Sequence, residues 1–436
     1  MYKQFNNRSF IPRALNKISR ILANTLTYSY ITYKSGFSLG LLIYKSLIYL
    51  ERDQWRSYKV TLIKIFSILK KRNNPDISFF LDAFETNPSN SFNYQILKNK
   101  LTKPLIHDIP TIYLLCILNY CRLYGDFRLA YLLRDVLINR TINYQKKLSI
   151  FSLKEFFQIS LETGDYKFLE HKVNNLIFAS NFLSEDGYAF LNFLNHQNCN
   201  ANEIWGKIFD KDDLLYKKFL ENKSVAIVGP TFTGELLGAE IDSFDVVIRS
   251  NFRINSNEPT EVYGKKTDVT YFNHYRISSQ LPDVISATKK TKWVVLKGKN
   301  DLNTFRKFKT SSHDCNERFS FLPHDYFFIN SEPMGIQIII NDVLRFSPKR
   351  IKLFSTSFYI SETNYNPNYK ISSTEDNSQA ASDIRAHEPF GNFSFVRNLY
   401  INGLIEADET SSRVLNMDNF EYASKLQNLY GHYEVN

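Results

Sequence analysis

Residues 224–251 read Ser-Val-Ala-Ile-Val-Gly-Pro-Thr-Phe-Thr-Gly-Glu-Leu-Leu-Gly-Ala-Glu-Ile-Asp-Ser-Phe-Asp-Val-Val-Ile-Arg-Ser-Asn. An apolar run enters a turn that carries glycines, and a second apolar run ends on Asn251. This arrangement is typical of an α/β domain that presents backbone N–H groups and polar side chains to a nucleotide where parallel strands end. The glycine spacing does not match a dinucleotide fingerprint, and Glu235 stands where a P-loop needs lysine. The stretch therefore predicts a nucleotide site outside these two familiar classes.

The region that begins at residue 221 alternates between strand-like and helix-like patterns. One run, 336–346, predicts a helix, while the stretch 365–385 is polar, rich in Ser and Asn, and long enough to predict a lid or an irregular loop. Such alternation favours a mostly parallel sheet. We therefore predict an α/β fold with a Rossmann-like parallel sheet in a domain of residues 221–436. Its strands are expected at 225–228, 246–249, 269–272, 293–296 and 351–354.

The preceding region, residues 1–220, predicts helices throughout, because its apolar residues recur at intervals of three and four. Two similar turns, Tyr-Gly-Asp at 124–126 and Thr-Gly-Asp at 163–165, separate such helices. In each, the glycine suits a left-handed helix end and the aspartate suits the cap of the next helix. The repetition favours a short solenoid of helical hairpins, with an irregular bundle as the alternative. An all-α N-terminal domain that contacts a partner or a membrane is therefore expected.

The net charge of +10 is concentrated at the front of the chain. Residues 1–100 hold 16 lysines and arginines against 5 acidic residues, a net of +11. Contact with an anionic membrane or an acidic glycan is one explanation, and an A/T-rich genome that favours lysine is the other. Neither an RNA-binding motif with interleaved aromatic residues nor a zinc-ligand spacing is present, so nucleic acid is not an expected partner.

The location of the protein is predicted from its apolar segments and its cysteines. The first 30 residues lack a continuous apolar signal region, and the apolar stretch 35–44 is about half of a membrane span. The four scattered cysteines suit a reducing compartment better than a disulfide framework. We therefore expect a cytoplasmic protein with peripheral contact at the inner face of the membrane.

The C-terminal half resembles bacterial sialyltransferases, and more distantly the animal ones, over about residues 223–405. No single block is decisive, but the order and spacing of four blocks are specific. These blocks are the segment 227–251, the segment 263–273 (Tyr-Gly-Lys-Lys-Thr-Asp-Val-Thr-Tyr-Phe-Asn), Met334-Gly335 with the later strand 351–359, and His387 within Ala-His-Glu-Pro-Phe-Gly-Asn-Phe.

The resemblance implies a variant of the nucleotide-binding glycosyltransferase fold and a metal-independent, inverting transfer of sialic acid from CMP-sialic acid. No cofactor is implied beyond this CMP-sugar donor. The acceptor would be a hydroxyl of a glycan or glycolipid in a surface polysaccharide or lipooligosaccharide. Between the first strand and the predicted lid there is no Asp-x-Asp triplet, which fits chemistry without a metal.

The resemblance also implies roles for individual residues. Tyr359 and Tyr365 would donate hydroxyl hydrogen bonds to the departing CMP phosphate, as two phenols can stabilise that charge in the manner of an oxyanion hole. His387 would remove the proton of the acceptor hydroxyl, which suits an imidazole at neutral pH. The donor-binding residues would be Gly229, Asn251, Asn273, Gly335 and Ser355.

One departure from the family pattern leaves the identity of the donor sugar open. Pro230 stands where the family has an asparagine that contacts the donor, and proline has neither an N–H nor a side-chain amide. A transferase that uses another CMP-linked or nucleotide-linked sugar is therefore an alternative. A non-catalytic helical interaction protein with a degenerate nucleotide fold is the alternative from a different class.

Overall fold

A computed structural model of the protein describes most of the predicted α/β region and parts of the helical region. The sheet lies within a compact unit of residues Ile138–Tyr433, and residues 1–137 with 434–436 form a second unit. The described residues are 125–143, 158–164, 185–194, 198–252, 259–273, 281–297, 315–320, 333–361 and 387–431, with isolated positions 64, 114, 115, 118, 121, 122, 277, 308, 380 and 384.

Seven strands form one sheet in which every pairing is parallel. Their order across the sheet is β5-β4-β3-β2-β1-β6-β7. The predicted α/β parallel sheet is thereby confirmed, and all five predicted strands are present as β1 to β4 and β6. The strands are β1 (Ser224–Val228), β2 (Val246–Ser250), β3 (Val269–Phe272), β4 (Trp293–Lys297), β5 (Asn316–Ser320), β6 (Arg350–Phe354) and β7 (Glu406–Ala407).

Helices connect and cover these strands, and the predicted helix at 336–346 is present as α8. The helices described are α1 (Phe127–Asn143), α2 (Glu185–Leu194), α3 (Asn198–Ile208), α4 (Lys211–Leu220), α5 (Gly238–Asp242), α6 (Thr260–Tyr263), α7 (Leu281–Thr288), α8 (Gly335–Leu344), α9 (Pro389–Ile401), α10 (Glu409–Leu415) and α11 (Asn419–Tyr430).

The strands form because their residues are apolar on both faces of a covered sheet. In β1, the four residues from Val225 to Val228 are all buried, and β2 is buried along its whole length. Such near-continuous apolar runs are typical of parallel sheets that carry helices on both sides. The carboxyl ends of all these strands therefore lie along one edge of the sheet.

Several helices begin at acidic residues that bind the unpaired backbone N–H groups of the first turn. Asp210 and Asp213 form a reciprocal capping box at the start of α4. Glu388 caps α9 with both carboxylate oxygens, and Pro389 occupies the first position of that helix. Asp408 caps α10 with one carboxylate oxygen, which accepts from the Ser411 N–H. These caps fix the residue at which each helix begins.

Parts of the predicted N-terminal helical region can be compared with the structure. Gly125 and Gly164 have the positive φ angles, 82° and 69°, that the two predicted turns require. Helix α4 packs on the sheet, with the ring of Tyr216 at 4.9 Å from that of Trp293. Among the described residues, no helix is both long and apolar enough to cross a bilayer. The boundary predicted at 220/221 and the solenoid arrangement stay predictions.

Candidate functional site

The order of the strands places a switch point between β1 and β6. From β1 the sheet grows through β2, β3, β4 and β5 in one direction and through β6 and β7 in the other. Connections that leave β1 and β6 therefore diverge to opposite sides, and the crevice that this opens at the carboxyl ends is where open α/β sheets bind ligands. The predicted residues Gly229, Asn251, Asn273 and Ser355 all follow directly on strands that end at this edge.

Gly229 ends β1 where the chain meets the end of β6. A Cβ atom on this residue would lie 2.2 Å from the Thr356 Oγ1 and 2.5 Å from the carbonyl oxygen of Ser355. No side chain fits at these distances, so the glycine is required by the close approach of two strand ends. Its N–H donates to the Phe354 carbonyl at 2.8 Å. The structure thus gives Gly229 a packing role at the edge of the site.

Pro230 lies inside this strand pairing without breaking it. The N–H groups of Gly229 and Thr231 both point to the β6 side, and the second donates to the Ser355 carbonyl at 3.0 Å. Because alternate residues of an extended chain present their N–H groups to opposite sides, the missing N–H of Pro230 would have pointed away from β6. The Thr231 and Ser357 hydroxyls, 3.1 Å apart, continue the contact beyond the strands.

Asn251 and Asn273, at the ends of the neighbouring strands β2 and β3, lie close together. The Asn251 N–H donates to the Tyr271 carbonyl at 2.8 Å. Its side-chain oxygen accepts a hydrogen bond from the Asn273 N–H at 3.4 Å. Asn251 is buried and has a φ of 51°. The pair therefore forms a fixed polar corner at the carboxyl edge.

Sequence reasoning missed Lys297, the last residue of β4. Its Nζ donates to the Ser250 Oγ, at the end of β2, over 2.8 Å. A Cβ atom on Gly335, the first residue of α8, would lie 2.8 Å from the same Nζ. The lysine therefore lies against the start of α8, whose cap residue Met334 makes no side-chain cap. Since a helix start carries partial positive charge, an ammonium group beside it concentrates positive potential at one point.

The start of α9, which carries His387, is tied to the start of α8. Asn392 accepts a hydrogen bond from the Met334 N–H at 2.8 Å and donates one to the Glu388 carbonyl at 2.8 Å. His387 is partly buried, and Glu388, the next residue in the chain, is fully buried. Gly335 begins α8 and His387 lies just before α9. The side-chain amide of Asn392 therefore links the surroundings of two residues that are far apart in sequence.

The turn after β6 holds Tyr359 and contains most of the backbone strain at this edge. Ser355, Phe358 and Tyr359 have φ angles of 51°, 50° and 68°. Each non-glycine residue in this left-handed region costs about 1–2 kcal/mol, and such residues cluster where function requires them. With Asn251, four of the six such residues in the described ranges lie at the carboxyl edge.

Ser355 contributes to the wall of the site through its backbone. Its N–H donates to the Asp408 Oδ2 at 2.6 Å, and its carbonyl accepts from Thr231. Its side chain is fully buried, and its hydroxyl has no hydrogen-bond partner among the described residues. A donor-binding role for Ser355 stays a prediction.

Two predictions about the site, the role of the lid and the absence of a metal, are not decided by the described residues. Tyr365 and almost all of the predicted lid, 365–385, lie outside the described residues. Within the described ranges, no three His, Cys, Asp or Glu side chains are grouped as ligands for a metal ion. The metal-independent chemistry stays a prediction.

Comparison with known proteins adds no family assignment to this geometry. No protein-family model matches the chain, and no curated protein matches it. The chemistry of this site therefore has to be inferred from its own residues.

Proposed function

We propose that this protein is a sialyltransferase-like glycosyltransferase that uses CMP-sialic acid as its donor. The observation that carries the proposal is the positive point formed by Lys297 and the start of α8, at the nucleotide-binding edge of a parallel sheet. CMP-sialic acid carries two anionic groups, its phosphate and its carboxylate. A lysine ammonium beside uncapped helix N–H groups is suited to hold either of them.

In the proposed reaction, an oxygen of the acceptor hydroxyl attacks the anomeric carbon of sialic acid. The bond from that carbon to the phosphate oxygen breaks, and CMP departs with the electron pair. The proton of the acceptor hydroxyl passes to the His387 imidazole. Tyr359 and Tyr365 donate hydrogen bonds to the phosphate as its charge increases, so the leaving group needs no metal.

The acceptor in this proposal is a glycan or glycolipid hydroxyl of a surface polysaccharide or lipooligosaccharide. The basic residues 1–100, almost all outside the described ranges, would hold the protein at an anionic membrane face where such acceptors are assembled. In this proposal the enzyme acts in the cytoplasm, in peripheral contact with the inner membrane.

Pro230 favours one variant of the proposal, in which the donor is another CMP-linked acid. The family asparagine at this position is replaced by a residue that lies within the pairing of β1 and β6 and offers no amide. A donor such as CMP-Kdo keeps the anionic groups that Lys297 would bind while changing the contacts near residue 230. A non-catalytic protein with a degenerate site is the remaining alternative.

The test is release of CMP by the purified full-length protein. CMP-Neu5Ac and CMP-Kdo are supplied separately, with and without a lactose-type acceptor and with and without EDTA. We expect acceptor-dependent CMP release that EDTA leaves unchanged. His387→Ala should reduce the turnover by about 10²–10⁴-fold, the usual contribution of a general base. Asn398→Ala, on the same helix α9 and bonded to the Glu162 carbonyl, is the matched control.

Two results would contradict the proposal. If the wild-type protein releases no CMP from either donor, the proposed transferase activity is wrong and the non-catalytic alternative is favoured. If His387→Ala turns over like the wild type, another group removes the acceptor proton.

A further inference from the structure

The turn 355–359, which follows β6 and contains Tyr359, is held by side chains from the two helices that follow α9. Four hydrogen bonds run between these side chains and backbone atoms of the turn. Two of the four involve α10 or its cap, and two involve α11. The four side chains, which we call the C-terminal clamp, belong to Asp408, Ser411, Tyr422 and Tyr430.

The α10 half of the clamp holds the beginning of the turn. Asp408 accepts from the Ser355 N–H at 2.6 Å while its other oxygen accepts from the Ser411 N–H at 2.7 Å. The Ser411 hydroxyl in turn accepts from the Thr356 N–H at 3.2 Å. Asp408 and Ser411 are both buried. A capping carboxylate therefore fixes the start of α10 and the strained Ser355 together.

The α11 half holds the end of the turn. The Tyr422 hydroxyl donates to the Phe358 carbonyl at 2.9 Å, and the Tyr430 hydroxyl donates to the Tyr359 carbonyl at 2.8 Å. Both acceptor residues have positive φ angles. The Tyr422 ring also stacks on that of Phe393 in α9, with centroids 4.0 Å apart and planes at 10°. The strained pair is thus bound to α11, which packs on α9, the helix that begins just after His387.

The Tyr422 hydroxyl is suited to permanent donation. Burial, and secondarily the proximity of Tyr359, raises the pKa of Tyr422 well above its usual value. The hydroxyl therefore keeps its proton at acidic, neutral and mildly alkaline pH, and the bond to the Phe358 carbonyl is present throughout that range.

We infer that the C-terminal clamp is a positioning device that imposes the left-handed backbone at Phe358 and Tyr359 and so aims the Tyr359 side chain into the site. Left-handed conformations of non-glycine residues persist only where surrounding contacts over-determine them. The clamp supplies those contacts, and it lies beyond residue 405, where the sialyltransferase resemblance ends. Its catalytic consequence rests on the proposed function, whereas its effect on the turn does not.

The structural test compares hydrogen exchange in three full-length proteins. These are the wild type, the double variant Tyr422→Phe/Tyr430→Phe, and Tyr216→Phe. The control removes another fully buried tyrosine hydroxyl, which lies 3.3 Å from that of Tyr271 and outside the clamp. We expect peptides that span 354–361 to exchange at least about tenfold faster in the double variant, a change of about 1.4 kcal/mol in local opening. Tyr216→Phe should leave these peptides unchanged.

The kinetic test uses the same proteins with the CMP-sugar donor. Because the clamp aims a group that acts on the departing phosphate, we expect kcat of the double variant to fall about tenfold while the donor KM changes less than twofold. Tyr216→Phe should retain the wild-type kcat. Unchanged exchange at 354–361 in the double variant would overturn the inference, and so would faster exchange with an unchanged kcat. If the wild type has no transferase activity, the proposed function fails and hydrogen exchange alone decides whether the clamp holds the turn.

Discussion

At the scale of single residues, Gly229 shows how a glycine beside a nucleotide site can be required for packing. The atoms that a Cβ would meet are a backbone carbonyl oxygen and a hydroxyl that donates to the Phe354 carbonyl at 3.1 Å. Neither can move without disturbing the end of β6. The requirement for glycine therefore comes from the partner strand and holds whether or not a ligand is bound.

Gly229→Ala should lower the free energy of unfolding by about 1–3 kcal/mol, the usual cost of overpacking. Gly206 in α3 is the matched control, because a Cβ there meets nothing within 4 Å. Since alanine favours helix over glycine, Gly206→Ala should stabilise the protein by up to about 1 kcal/mol. Thermal melts of both variants should shift in opposite directions. If Gly229→Ala melts at the same temperature as the wild type, the ends of β1 and β6 adapt to the extra methyl group.

Lys297→Met should weaken the binding of CMP by about ten- to a hundredfold, since a hydrogen bond to a charged group contributes about 1.5–3 kcal/mol. Cytidine, which lacks the phosphate, should bind both proteins equally. Lys292→Met is the control, because Lys292 precedes the same strand at the opposite edge, 2.9 Å from Asp268. Calorimetric titration of the three proteins with CMP and with cytidine measures all six affinities. A parallel loss of cytidine binding would indicate a general disturbance of the site.

At the scale of elements, a buried network of charges joins β5 and α8 to the helices α2 and α4. Arg318 of β5 pairs with Asp342 of α8 at 2.5 Å and with Asp213 of α4 at 2.5 Å. Arg345 pairs with Asp342 at 3.2 Å and with Asp186 of α2 at 2.7 Å. Four of these five side chains are at most 3% exposed. A charge buried to this extent depends on all of its partners.

Asp342→Asn should destabilise the protein by about 3–5 kcal/mol at pH 7, because it leaves Arg318 and Arg345 buried with one partner fewer. Asp212→Asn, on the exposed face of α4, should change stability by no more than about 0.5 kcal/mol. Thermal or denaturant unfolding measures both. A small effect of Asp342→Asn would mean that Asp186 and Asp213 suffice to neutralise the two arginines.

The same variant should also change the response to acid. Burial is the largest single influence and by itself would raise the pKa of Asp342. The charges of Arg318 and Arg345 and the hydrogen bonds from Arg318 and Tyr271 together outweigh it and lower the pKa below its usual value. The folded state then binds this proton less readily than the unfolded state. The resulting stabilisation is complete above about pH 4 and is lost as the pH falls through the folded pKa. The unfolding free energy of Asp342→Asn should therefore fall less steeply below pH 4 than that of the wild type.

At the scale of the whole molecule, the strands that could be predicted are those whose own residues are apolar. β5 was missed because Asn-Glu-Arg-Phe-Ser has no apolar pattern. It becomes a strand through pairing with β4 and through Arg318, whose partner Asp213 is 105 residues away. Such pairing depends on distant parts of the chain, which no local pattern contains. β7, with two residues, offers no pattern at all.

The site was predictable only as far as strand ends could be recognised. Asn251 and Asn273 are candidates through the resemblance to sialyltransferases, and each follows an apolar run that ends as a strand. Lys297 also follows such a run, and that position was a usable signal. Its contact with Gly335, however, depends on which helix begins near the end of β4, and the sequence of β4 does not contain that information. The strand order likewise was not contained in the strands themselves, since nothing in the sequence of β1 identifies β6, more than 120 residues later, as its neighbour.

The pairing of β1 with β6 also sets the order of events while the chain is synthesised. Thr231 and Ser357, whose hydroxyls meet, are 126 residues apart. At about 5–20 residues per second, a ribosome takes roughly 6–25 seconds to travel from one to the other. During that time the central strand lacks a neighbour, and an unpaired apolar edge readily recruits other chains. Pausing between these codons, or stopping before β6, would therefore favour aggregation over a shortened folded product.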